Sequence, residues 1–313
     1  MNLRVFGVHS VIELAPVLHA MRQVSGGTRE VEYGGVAHLI DAGHLLQAQE
    51  GMPGVINKEA PLPRNAGGAD LATNAETQTL RMSVARPDIR IIMTVAEGLY
   101  RIVARRSAGI ASVRDLAGKR VGTFPRTSAS FCLYKELAHA GLSEDDIDIV
   151  PMAPAGEIAR AMIAGEVDAI AIWEPAAQDA FDALGTDAIE LKTPGLYREM
   201  FNLNTTADKL ADPVKRAEVV AFMRALIASC RHITQHPEDV WPLSVRTTGL
   251  ELESIKASWR HHRWIAAMPA DLLDVMVDEE PWIAAEQNRQ PRSRAELGSL
   301  IDDSVFREAS AAS

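Results

Sequence analysis

Two hydrophobic rhythms take turns along the chain. Short runs that are apolar throughout or at alternate positions predict strands at Leu3–Val8, Thr28–Tyr33, Asp70–Thr73, Ile89–Val95, Tyr100–Ala104, Arg120–Thr123, Ile147–Pro151, Asp168–Ile172 and Ile189–Leu191. Between them lie stretches with a helical period. Ile12–Val24 carries Leu14, Val17, Leu18 and Met21 on one face, and Val36–Gln49, Thr77–Arg86, Ser128–Ala140, Ala155–Ala164 and Pro175–Leu184 follow the same pattern. Gly141 and Gly165 stand where two of these helices should stop, because glycine takes the left-handed conformation at little cost. From about Asp212 onward the pattern is almost entirely helical.

Strand–helix alternation at this spacing implies mixed or parallel sheets with helices on both faces, an α/β class. The alternation falls into two groups separated near residue 95. The expected organisation is a discontinuous first lobe, residues 1–95 plus 196–313 with a helical C-terminal part, and a second lobe, residues 96–195. A Gly/Pro-rich stretch from Gly51 to Gly68 reads as a long loop, either a surface variation or a lid over a site.

The chain has 313 residues, which suits two domains rather than one, and its 47% hydrophobic content is enough to build real cores. A net charge of −10 argues against nucleic acid as a partner. No run of apolar residues is long enough to insert into a membrane. Cys132 and Cys230, each on a predicted helix, make neither a disulfide framework nor a metal cluster and read as small buried hydrophobes. Trp259-Arg260-His261-His262-Arg263-Trp264 superficially resembles a metal or nucleic-acid box. On a helix the two histidines would point about 100° apart, so a surface helix with a tryptophan stem in the core is the expectation. No dinucleotide fingerprint, phosphate loop or nucleophile elbow occurs, and nothing calls for a cofactor, a metal or a catalytic residue.

The densest run of motifs lies between Ile110 and Ala176. Asp115-Leu-Ala-Gly118-Lys119-Arg-Val-Gly122 is a short helical step, a glycine stop and a strand. Thr127, Ser128 and Ser130 stand where that strand hands over to a helix, a position suited to N-capping and to an anionic or polar ligand. Gly165-Glu-Val-Asp168-Ala-Ile-Ala-Ile-Trp173-Glu174-Pro175 closes the series. Upstream, Gly68-Ala-Asp70-Leu-Ala enters a strand, and Gly98-Leu-Tyr100-Arg-Ile-Val-Ala-Arg105 leads into another.

This succession resembles the type II periplasmic solute-binding proteins that handle nitrate, sulfonates, taurine and thiamine pyrimidine precursors, over about residues 69–240. The resemblance implies two α/β lobes joined by crossovers near residues 94–100 and 188–196, closing on a small solute by hinge motion. It also implies that the solute is held by loops at the carboxyl ends of strands. In this chain those are His9 and Ser10, Asn74, Glu76 and Thr77, Glu97, Thr127 and Ser128, Trp173 and Glu174, and Asn202. Trp173 would offer a flat face to a ring or alkyl chain. Glu97 and Glu174 would accept hydrogen bonds from an amine edge, or else cap a helix.

The resulting expectation is a monomeric solute-binding protein of an ABC-type importer, with a sulfonate, a nitrate-like anion or an aminopyrimidine as cargo and a permease as partner. The alternative is an enzyme on the same fold. The resembling desulfinase uses a cysteine after the first strand, where this chain has His9-Ser10, and the pyrimidine synthase uses a cysteine-rich run that this chain lacks. Met1 leads directly into a strand pattern with no basic, apolar leader, so the chain is expected in the periplasm if a leader was removed and in the cytoplasm otherwise.

Overall fold

The computed structural model describes residues 2–40 and 68–311. The expected loop Gly51–Gly68 and most of the expected helix Val36–Gln49 lie outside the described residues; the start of that helix is a 3-10 turn, Val36–Leu39. The chain divides into two units: Met1–Glu97 with Met200–Leu250 and Arg263–Ser313, and Gly98–Glu199 with Glu251–His262. The sequence reading put all of 196–313 with the first lobe, whereas Glu251–His262 packs within the second unit.

The first unit is built on a mixed sheet. Its strands are β1 (Val5–Gly7), β2 (Glu32–Tyr33), β3 (Leu71–Ala75), β4 (Ile89–Gly98), β10 (Glu199–Thr206) and β11 (His262–Arg263), in the order β11-β4-β10-β3-β1-β2. β1 runs parallel to β2 and β3, while β10 runs antiparallel to β3 with Asn202 opposite Asn74. Strand side chains alternate between faces. Val5, Phe201 and Leu203 therefore enter one core with helix α1 (Ala15–Ser25), helix α7 (Pro213–Gln235) and Val305. Phe6 and Ala72 enter another with Met82 of helix α2 (Glu76–Ala85). The side chain of Asp212 caps α7 by accepting from the N–H groups of Val214 and Lys215. The helices α6 (Ala207–Ala211), α8 (Trp241–Thr248), α10 (Leu272–Glu286), α11 (Arg294–Gly298) and α12 (Ser304–Ser310) complete the unit.

The second unit carries β5 (Ile102–Arg105), β6 (Arg120–Thr123), β7 (Asp148–Pro151), β8 (Ala169–Ala171) and β9 (Ala188–Leu191), in the order β7-β6-β8-β5-β9. β6 is parallel to both neighbours, and β5 is antiparallel to β8 and β9. Alternation again sorts the faces. Val103 and Ile170 pack with helices α4 (Ala155–Ala164) and α5 (Ala176–Leu184). Ile102, Ala104, Ala169 and Ala171 pack with helix α3 (Ser128–Ala140). Gly141 and Gly165 end α3 and α4 at φ of 80° and 76°, where a Cβ would be strained. Helix α9 (Leu252–Ser258) also belongs to this unit. The α/β class with mixed sheets flanked by helices is the one the hydrophobic pattern predicts.

Two segments differ from the sequence reading. Residues 202–204 are not a loop: they lie inside β10, which is buried along its whole length. The tail is therefore not purely helical after residue 195. Likewise, Trp259–Trp264 is not one surface helix. α9 stops at Ser258, a 3-10 turn covers Trp259–His261, and β11 follows, with both histidines buried.

Candidate functional site

In the first unit, β3 and β10 bring Asn74 and Asn202 to the same face of the sheet as register partners. Asn74 is not in a loop: it belongs to β3, and its Oδ1 accepts from the Val36 N–H at 3.0 Å. A Cβ on Gly35 would lie 2.0 Å from that oxygen, so the approach requires glycine. Asn202 Oδ1 accepts from the Thr94 hydroxyl at 2.7 Å, while its Nδ2 is buried with no partner among the described residues. The Thr77 hydroxyl, in the first turn of α2, is also buried without one. Such groups cost stability unless something else satisfies them.

Glu76 is fully buried, accepts from the Met200 N–H at 2.7 Å, and meets the equally buried Glu279 of α10. Burial and the neighbouring Glu76 carboxyl push Glu279 well above the ordinary glutamate range. Glu97, at the end of β4, is buried and paired with Arg263. Ser10 is exposed. His9 sits apart from these groups. Its Nε2 donates to the Val31 carbonyl at 3.0 Å, and its ring meets Tyr33 edge-on.

In the second unit, β6 and β8 are parallel neighbours, so the residues that follow them lie side by side. Phe124 follows β6 and Trp173 follows β8. Their rings stand 5.6 Å apart at 32°, half-buried and resting on the α4–α5 core. Trp173 Nε1 is buried with no hydrogen-bond partner among the described residues. The loop between Phe124 and α3 holds Arg126 at φ 64°, a conformation that costs a non-glycine residue about 1–3 kcal/mol and clusters at ligand sites. Of the hydroxyls expected at the start of α3, that of Ser130 caps it, accepting from the Thr127 N–H at 3.1 Å. Thr127 Oγ1 donates to the Phe124 carbonyl at 2.7 Å, and Ser128 Oγ shares a 2.9 Å hydrogen bond with the Tyr100 hydroxyl. The Tyr100 ring leans on Tyr197, which also meets Phe131 edge-on. Phe124, Arg126, Tyr100 and Tyr197 escaped the sequence reading. Only the position of the first two, directly after a predicted strand, could have signalled them.

Glu174 has a different setting from an exposed ligand acceptor. Its Oε1 accepts from Arg101 Nε at 3.0 Å and Nη2 at 2.9 Å, and its Oε2 accepts from the Gln178 N–H at 2.9 Å. The guanidinium goes on to Gln178 Oε1 at 2.7 Å and Glu190 at 2.9 Å. Burial lifts the Glu174 carboxyl above its usual value, against the pull of Arg101 and His262. His261 faces the same network, 3.3 Å from Gln178 Oε1; burial, with Arg101 nearby, pushes it down to about 3, so it is neutral at physiological pH. Both cysteines are buried, and burial pushes their thiols well above the usual value.

The chain is similar to several known proteins. The model of the NMT1/THI5 like family matches residues 58–240, more than half of the chain. A putative binding protein of Brucella abortus is 29% identical over 155 residues, a match spanning 46% of this chain and only 42% of that protein. Among solved structures, the periplasmic aliphatic sulphonate binding protein SsuA from Escherichia coli superposes with a TM-score of 0.72 at 17% identity, over 94% of this chain and 90% of that one. The alkanesulfonate-binding protein SsuA from Xanthomonas axonopodis pv. citri gives 0.68 at 20% identity, over 96% and 97%. At such identities the likeness establishes the fold alone, and the fold is that of the periplasmic solute-binding proteins. By the extent of its match, this chain belongs to the NMT1/THI5 like family.

Proposed function

We propose that the chain is the solute-binding component of an ABC-type importer and captures a small organic solute with an apolar or aromatic body and a polar edge. The Phe124–Trp173 pair carries this reading. It is a half-buried aromatic wall at the carboxyl ends of adjacent parallel strands, where open α/β sheets bind ligands. Trp173 supplies a face and an indole N–H, and Arg126 brings a cation to the loop that holds Phe124. This favours a sulfonate or another anionic head on an organic body over bare nitrate. Glu174 acts as a positioning residue that holds Arg101 and the start of α5, with Trp173 directly before it. The reading includes a periplasmic location, a permease partner and a monomeric state.

A thermal-shift panel of alkyl and aryl sulfonates, taurine, nitrate, aminopyrimidines and aromatic acids tests it. The expected result is a raised melting temperature with an organic sulfonate or a similar amphiphilic solute and none with nitrate. Stabilisation by nitrate alone would overturn the aromatic-wall reading. Chemical turnover of any stabilising compound would replace the binding protein with an enzyme.

A further inference from the structure

A cavity of about 650 Å³ lies wholly within the first unit, between the second half of α1, the segment leading into β2, and α8, and none of the aromatic-wall residues lines it. Its volume falls in the range of small-molecule sites. Its floor is apolar: Leu18, Met21 and Val31 are buried members of the α1–α7 core, so the surface is preformed rather than loose. Its rim is basic. Arg22, Arg29 and Arg246 all line it, with Glu30 as the single acid. Three guanidiniums against one carboxylate is unusual in a chain with 42 acidic and 32 basic side chains.

Ordinary structural roles explain only part of this. Arg22 and Arg246 each stand in the last turn of a helix, where a cation suits the dipole. That accounts for their sign and not for their convergence with Arg29, which follows the Gly26-Gly27 turn and belongs to no helix. Arg29 is steadied by Asn2 Oδ1 at 3.0 Å. Neither Arg22 nor Arg246 has an acidic partner among the described residues, although nearby acids such as Glu32 and Asp239 are paired to Arg4 and His232. His9 forms part of the wall. Its Nε2–H is spent on the Val31 carbonyl.

We propose that this cavity is a second ligand site, for a small organic anion whose oxyanion head sits among Arg22, Arg29 and Arg246 and whose apolar body lies on Leu18, Met21 and Val31. Guanidinium groups suit phosphate and carboxylate heads because their paired N–H donors match two oxygens at once. The proposal does not depend on the solute reading above, since it draws on other residues of the chain, His9 excepted.

Calorimetric titration of the full chain with phenyl phosphate tests it, with inorganic phosphate and phenol as the two halves of the probe. The expected result is saturable 1:1 binding, weakened at least about tenfold in Arg22→Gln/Arg246→Gln. Binding should be weaker for either half-probe and unchanged in Trp173→Ala. Both arginines are exposed, so the double variant should melt with the parent. No binding at millimolar phenyl phosphate, or equal binding by the double variant, overturns the site. Equal affinity for inorganic phosphate overturns the apolar floor. Loss in Trp173→Ala would assign the signal to the aromatic wall instead.

Discussion

Replacing Arg101 with methionine should be among the most damaging single changes in the second unit. The guanidinium is 1% exposed and the Glu174 side chain 4%. Removing the cation leaves a buried carboxylate with one backbone N–H as its main support. The third partner, Glu190, is 36% exposed and adds little, since solvent screens it. Breaking one side of a buried pair costs about 3–5 kcal/mol, because the orphaned charge stays out of water. In a chain of 313 residues that is a fall of roughly 5–8 °C in melting temperature. Replacing both members with apolar side chains, Arg101→Met/Glu174→Leu, removes the orphan and should recover most of the loss. Gln178 keeps a donor in Arg260 Nη2 at 3.3 Å. Urea unfolding followed by circular dichroism measures all four proteins of the cycle. A cost below about 1 kcal/mol for Arg101→Met, or a double variant as weak as the sum of the singles, would refute the assignment of Glu174 as a buried structural partner.

Two further outcomes follow from the same geometry. Trp173→Ala should weaken binding of the solute identified by thermal shift at least about tenfold, read by calorimetry, while leaving the protein folded; undiminished affinity would remove the aromatic wall from the site. Glu279→Gln should flatten part of the pH dependence of stability. The folded-state value of Glu279 lies above the ordinary 4.5, so the folded chain holds the proton more tightly. Its contribution is complete below that value and is lost as pH rises toward the folded one. The melting temperature of Glu279→Gln relative to the parent should therefore climb from pH 5 to pH 8.5, and a constant difference would contradict the buried carboxyl pair.

Much of the fold class can be read from the sequence, for reasons visible in particular elements. β6, α3 and α4 fall where the pattern puts them, because each combines a clear hydrophobic period with a glycine or hydroxyl boundary. β10 escaped because Asn202, Asn204, Thr205 and Thr206 look like loop residues. The structure buries them by pairing amides with hydroxyls, Thr94 of β4 with Asn202 and Thr79 of α2 with Asn204. Propensity gave way there to tertiary hydrogen bonding. Glu174 looked free because its partner, Arg101, lies 73 positions away, and no local pattern announces such a pair. Asn74 falls inside β3 rather than in the loop after it, because strand ends cannot be placed from sequence to within two or three positions. Trp173 was legible because a tryptophan directly after an apolar strand marks a strand end; its neighbour Phe124 was one parallel strand away.

The central claim is that the chain binds a small solute and releases it unchanged. The most direct test is to incubate the purified protein with the solute that stabilises it most, then quantify free and bound compound by mass spectrometry. The account predicts one solute per chain, recovered intact after denaturation and in full yield at every time point. Progressive disappearance of the compound with formation of a product, abolished by boiling the protein first, would contradict it.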